Sequence, residues 1–368
     1  DFMKSYTVNI PGFTIGGDDA YAAIETVCAT YGKTVAILGG ETALAKARPA
    51  LEAALQKTSL EVTDWRMYGK ECSFANAERL AEIPTVADAD MLFAVGGGKA
   101  IDTVKVIAGE LQKPFFTFPT IAATCAAVTS IAAVYLEDHR FDRAYDANHP
   151  PVHTFINERI IGSAPAQYLW AGIGDSVAKY YESRLSARDR SILHSNQVGV
   201  TLSGMCAEPL MQSAVTGYKD AQAGKTSEAL RQTILNVIVS TGFASIFLEP
   251  DYNTAVAHSL TYGLVELPQV EANHMHGELV SYGVLVLLAM DGADDELAKV
   301  YDFNRAMQLP TCLADVDVTV DELEPVLTRA LQTFDLNVMP YKVDKEMYRN
   351  AILALEEYDR SRKEVIGA

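Results

Sequence analysis

Three short segments carry the residues whose chemistry stands out. AGIGDSVAKYYE places Asp175 after a glycine-rich approach, at what reads as a helix start. AVAHSLTYGL holds His258, and HMHGELVSYG holds His274 and His276, both in apolar helical surroundings. The acid with His258 and His276 makes a borderline-to-hard ligand set suited to Zn²⁺ or Fe²⁺, and three protein ligands leave a coordination position for a substrate. Plainer readings stand beside it: Asp175 as an N-cap, His258 as a satisfied core histidine, His274 and His276 as exposed side chains. Spacing alone does not decide, because nothing here resembles HExxH.

A second chemistry sits in LFAVGGGKAIDTVKVIA, residues 92–108. An apolar run meets Gly96, Gly97 and Gly98, then Lys99 and a helical pattern. Glycines let the backbone approach closely, and amides at a helix N-terminus point at an anion, so the turn suits a pyrophosphate. The alternative is a tight strand-to-helix turn and no more. The pattern is neither GxGxxG nor a P-loop, since Ala100 stands where a metal-binding hydroxyl would follow the lysine. Asp102, in the first helical turn, could cap amides.

Elements must position these residues. KTVAILGG, LEVTDWRMY, MLFAVGGG and PFFTFPT read as buried strands, and the segments between them read as helices, with Pro84 starting a new turn. Continuous apolar strands alternating with helices predict a parallel sheet covered on both faces, over residues 1–160. Beyond NERIIGSAPAQYLW the β-runs vanish. TILNVIVSTGFASIF and GELVSYGVLVLLAM read as buried helices, so residues 161–368 are expected to form an all-α domain. A cleft between two such domains is a usual place for a ligand.

Composition narrows the class. The net charge of −18 argues against nucleic acid and anionic membranes as partners. Five dispersed cysteines without a CxxC pair read as a reducing compartment, and a cytoplasmic enzyme is expected. The opening DFMKSYTVNI has no charged-then-apolar signal pattern, and the two residues before Met3 read as a cloning remnant. The uncharged stretch 115–136 has the length of a bilayer span, but Pro119 and its hydroxyl residues read as strand, loop and a second extended run.

VGGGKAIDTVK, FPTIAAT, AGIGDSVAKYYE, AVAHSLTYGL and HGELVSYG occur in the order found in the glycerol dehydrogenase branch of the iron-containing alcohol dehydrogenase family. The chain resembles that branch over nearly its whole length. The resemblance implies an N-terminal Rossmann-like α/β domain followed by an all-α domain, the dehydroquinate synthase-like architecture. It implies one catalytic metal on Asp175, His258 and His276. It also implies NAD(H) or NADP(H), with Gly96, Gly97, Gly98, Lys99 and Asp102 at the pyrophosphate end and Thr120, Thr124, Thr129 and Tyr135 toward the nicotinamide. The iron-type branch adds a histidine four residues after the aspartate; Lys179 stands there, which favours zinc over iron. Glycerol dehydrogenases carry an aspartate facing the polyol where IAATCAAVT has Cys125, and that segment looks like the hydroxycarboxylate dehydrogenase subgroup, which reduces 2-oxo acids. Cys125 could equally be a small buried hydrophobe. Many relatives also place an aspartate against the adenosine ribose where AILGG has Gly39 and Gly40, so a 2′-phosphate meets no acid there, although Glu41 is close.

The expected activity is metal-assisted hydride transfer between nicotinamide and a small 2-hydroxy acid or 2-oxo acid, by a homo-oligomer. Tyr262, one turn after His258, is the sole general-base suggestion. Glycerol dehydrogenase, a sugar-phosphate cyclase with the same fold, and a non-catalytic nucleotide-binding protein are the rivals. The cyclase would need a Lys/Arg cluster for a phosphate, and the helical half has none near these residues.

Overall fold

The computed structural model describes residues 5–367, with side chains through residue 364; the two residues before Met3 lie outside them. Six parallel strands form one sheet in the order β1-β8-β5-β4-β2-β3. They are β1 (Gly12–Gly16), β2 (Thr34–Gly39), β3 (Glu61–Met67), β4 (Met91–Gly96), β5 (Phe115–Pro119) and β8 (His153–Asn157). An antiparallel hairpin, β6 (Ile131–Tyr135) and β7 (Phe141–Asp146), stands apart from the sheet. From Glu158 onward the described chain has only helices and turns. The α/β-then-helical order read from periodicity is the observed one.

The buried strands are β-branched and aromatic runs, as a sheet covered on both faces requires. Val35, Ile37, Phe93, Val95, Phe116, Phe118 and Phe155 fill the core on one face with Leu51 and Tyr21. The Phe118 and Phe155 rings stack 4.9 Å apart. Three strands escaped the sequence reading. β1 carries two glycines in five residues, β7 is exposed on almost every residue, and β8 is only five residues long. The strand ending in LGG is therefore the second, and the glycine turn follows the fourth. Pro84 does start a new short helix, Pro84–Ala87. The stretch 115–136 is β5, loop and β6.

By packing, the chain divides into two units. One holds the residues up to Leu169 together with Thr216–Ile246; the other holds Trp170–Val215 and the residues from Phe247 on. All but the last residue of the helical run Glu228–Phe247 belongs to the first, and the run passes through a π-helical turn, Asn236–Ser240. By length and composition that run could cross a membrane, and 56% of its most apolar stretch is buried within the chain. Gly242 brings it against the loop after β5: a Cβ there would stand 1.9 Å from Val128 Cγ2 and 3.4 Å from Cys125 Cβ.

In the second unit the helix His276–Met290 is the core, buried continuously from Leu279 to Leu288. The helices Val256–Leu264, Asp294–Met307 and Lys345–Gly367 pack around it. A Cβ on Gly283 would lie 2.6 Å from the Ala257 carbonyl oxygen, so the backbones meet almost directly.

Candidate functional site

Asp175, His258 and His276 come together in the second unit. Asp175 lies in the middle of the helix Ala166–Ala187, which corrects its placement at a helix start and removes the N-cap reading. His258 sits in the first turn of Val256–Leu264, and His276 opens His276–Met290. One donor atom from each lies within 4.8 Å of the others. Asp175 Oδ1 is 3.4 Å from His258 Nε2 and 3.6 Å from His276 Nε2.

Ligands about 2.0–2.2 Å from one ion in a tetrahedron stand about 3.3–3.6 Å apart. The two Asp175–histidine separations match that edge and are long for hydrogen bonds. Asp175 Oδ1 is buried and has no hydrogen-bond partner, which is costly unless something else satisfies it. The donor set, one carboxylate and two imidazoles, is that of a divalent transition metal. The residues fit such an ion.

Glu182, which sequence reasoning missed, organises the trio. It lies seven residues after Asp175 on the same helix and is fully buried. Its Oε1 accepts from the backbone amides of Ala255 and His258, capping the helix that bears His258. Its Oε2 is 2.6 Å from His258 Nδ1, which turns Nε2 toward Asp175 and His276. A carboxylate on the far nitrogen of a ligating histidine fixes tautomer and ring orientation. The seven-residue spacing in DSVAKYYE was the available signal; a buried rather than solvated glutamate was not legible.

The electrostatics follow from this packing. Burial lowers the pKa of His258, but Glu182 and then Asp175 outweigh it and raise it to about 10. Burial would raise Asp175; its histidine neighbours and Lys179 hold it below the usual range. Desolvation lowers the pKa of His276 against the opposing charge of Asp175, and 46% of its side chain is open to solvent. Asp335 is also buried close to His258, and burial pushes its carboxyl up. His274 is not the exposed residue it could have been. Its ring bridges Glu278 at 2.9 Å and Asp317 at 3.0 Å, two residues before His276. Tyr262 lies one turn after His258, half-buried.

The glycine turn is in the first unit. Gly96 ends β4 with φ of +151°, a conformation side chains rarely adopt, and Gly97 caps the helix Gly98–Leu111. Thr120 N donates to Gly96 O, and Thr124 Oγ1 would lie 3.9 Å from a Cβ on Gly98. Lys99 Nζ donates to Glu71 Oε2 at 2.8 Å and lies 5.3 Å from the centroid of the Tyr135 ring. Glu71 is another residue the sequence did not reveal. Burial would raise its pKa, but Lys99 and His139 hold it below the usual range. Asp102 caps no amide of its own helix. One of its oxygens accepts from the fully buried Lys105, the other from Ala133 N, so it fastens the helix to β6. Lys105 also reaches Thr129 Oγ1 at 3.2 Å. Gly40 caps the helix Glu41–Leu55 at an ordinary φ of −75°, and a Cβ there would have Tyr68 Cε1 at 3.7 Å. Cys125 is half-buried, beside Gly242. All five cysteines are free thiols.

Residues 11–154 match the model of the family described as iron-containing alcohol dehydrogenase. The chain is 30% identical to hydroxycarboxylate dehydrogenase A of Escherichia coli K12, covering 79% of this chain and 82% of that one. It is 28% identical to a glycerol dehydrogenase of Pseudomonas putida over 95% of this chain and 97% of that one. A crystal structure of a probable glycerol dehydrogenase from Sinorhizobium meliloti superposes with a TM-score of 0.83 at 25% identity, covering 97% and 99% of the two chains. Fold, motif order and whole-length similarity agree: the chain belongs to the iron-containing alcohol dehydrogenase family, as an oxidoreductase that acts on CH–OH groups with a nicotinamide dinucleotide and a metal ion.

Proposed function

We propose that this enzyme interconverts small 2-oxo acids and 2-hydroxy acids. The observation that carries the reading is Cys125, in the position where the glycerol-oxidising branch has an aspartate. Losing that carboxylate removes a repulsion against an anionic substrate. The similarity to a hydroxycarboxylate dehydrogenase supports the same reading. Glycerol oxidation is the second reading, supported by the relatives that are named glycerol dehydrogenases.

In this proposal residues 161–368 supply the metal ligands Asp175, His258 and His276, and zinc is preferred because Lys179 removes a fourth imidazole. When bound, the metal supplies Lewis acidity at the substrate oxygen and the nicotinamide carries the hydride. Glu182 holds the His258 ring so that Nε2 faces the site. Residues 1–160 take the dinucleotide: the amides of Gly96, Gly97 and Gly98 receive the pyrophosphate, with Lys99 neutralised by Glu71 rather than free. Thr120, Thr124 and Tyr135 line the same turn, and Asp102 acts through Lys105 on Thr129. Tyr262 is the group assigned to proton transfer. The active form is a homo-oligomer.

A substrate panel tests the reading. Purified enzyme assayed with 2-oxo acids and with glycerol should give the higher kcat/KM for an oxo acid; the reverse order returns it to the polyol dehydrogenases. Cys125→Asp should then lower oxo-acid kcat/KM about 10-fold, roughly 1.4 kcal/mol for a partly solvated repulsion. Indifference to that change counts against Cys125 facing the substrate.

Cofactor choice is tested separately. With no acid at Gly40, NADP(H) is accepted beside NAD(H). There is space for a side chain at this position and no backbone strain. Gly40→Asp should move the NADP/NAD ratio of kcat/KM about 10-fold toward NAD through repulsion of the 2′-phosphate. An unchanged ratio would place the ribose elsewhere.

A further inference from the structure

Lys179 lies beside the metal trio and makes no salt bridge among the described residues. It lies one turn after Asp175 on the same helix face and is only 7% exposed. Its Nζ donates to Asn253 O at 2.9 Å and to Asn253 Oδ1 at 2.6 Å, both neutral acceptors. An ammonium has three N–H donors, and the third has no acceptor among the described residues.

Nearby carboxylates do not pair with it. Glu182 is occupied by His258 and the amides of residues 255 and 258. Asp335 accepts from Thr254 through Oδ1. Asp175 faces the two histidines, although the charge of Lys179 reaches it and helps to hold its pKa down. Burying an ammonium on neutral partners costs free energy that a neutral side chain would avoid. A backbone carbonyl could be satisfied by an amide or a hydroxyl. The retained charge therefore points to an anion that is part of the reaction.

We propose that Lys179 receives the carboxylate of the substrate, and so selects 2-oxo acids over neutral carbonyl compounds. This rests on the oxo-acid reading above. In a 2-oxo acid the carboxylate is bonded directly to the reacting carbonyl carbon. A cation one helical turn from Asp175 could therefore hold the carboxylate while the carbonyl end lies toward the residues that would hold the metal, Asp175, His258 and His276. Lys179 is a specificity-determining residue here, with no part in hydride or proton transfer.

The test is Lys179→Met, which keeps the length of the side chain and removes the charge. Pyruvate and its neutral analogue hydroxyacetone are assayed as substrates, and binding of oxamate, a non-reacting carboxylate, to the metal- and nucleotide-loaded enzyme is measured by calorimetry. The pyruvate-to-hydroxyacetone ratio of kcat/KM should fall about 10- to 100-fold, as for loss of a hydrogen bond to a charged group. Oxamate affinity should fall in step, with metal content and thermal midpoint kept. Equal losses on both substrates, or unaltered oxamate binding, would mean that Lys179 only braces Asn253 and would overturn the assignment. If the wild-type enzyme neither reduces pyruvate nor binds oxamate, the oxo-acid reading falls first and takes the assignment with it.

Discussion

Asp175→Ala and His276→Ala should each strip the metal and lower kcat/KM by more than about 1000-fold, while the protein stays folded. The size follows from losing the electrophile, whose stabilisation of charge on the substrate oxygen amounts to several kcal/mol. Folding should survive because neither side chain is a packing element. Asp175 Oδ1 is a buried acceptor with no hydrogen-bond partner, and its ion pairs run only to the two histidines of the site. Nearly half of the His276 side chain is open to solvent. Metal content by atomic absorption, turnover and the thermal midpoint are the measurements. A variant that retains full metal and turnover would show that the ligands lie elsewhere.

Gly277→Ala should damage the same site without touching a ligand. A Cβ on Gly277 would stand 1.8 Å from the Ala171 carbonyl oxygen and 3.1 Å from Asp175 Cβ, and one on Gly174 would stand 2.4 Å from the Gly277 carbonyl oxygen. Each of these glycines is the chain neighbour of a proposed ligand, Asp175 or His276. Together they let two helices approach backbone to backbone and bring the donor atoms to 3.6 Å. Backbone atoms cannot rotate out of the way as a side chain can, so the helices must separate. The expected cost is about 3 kcal/mol, a midpoint lower by about 4 °C for a chain of this length. Metal affinity should drop by at least about 100-fold, because inner ligands need placement to within about 0.5 Å. Titration of the apoenzyme with Zn²⁺ alongside thermal unfolding checks both. Wild-type affinity in Gly277→Ala would mean that the helix approach does not set the site.

Periodicity was enough for the parallel sheet and the helical remainder, because continuous apolar runs and amphipathic repeats are local properties of the chain. Asp175, His258 and His276 were legible as a set through motif order. The glycine turn at 96–98 was legible through composition. β1, β7 and β8 were not, since a short, glycine-bearing or exposed strand becomes a strand only when a partner supplies its hydrogen bonds.

Other roles required the tertiary structure for a related reason. Asp175 reads as an N-cap until the helix is seen to run through it, since a Gly-Ile-Gly approach resembles a helix start. Glu71 and Glu182 look like surface acids, and only packing removes them from water and gives each a cationic or imidazole partner. Asp102 and Lys105 are an ordinary helical pair in sequence; burial makes them a bolt between the helix and β6. Residue identity alone determined the kinds of group available, a carboxylate–imidazole donor set and an amide-rich glycine turn. Long-range packing decided which carboxylate orients a histidine, which lysine is neutralised and which is buried on neutral acceptors, because burial and pairing depend on neighbours dozens of residues away.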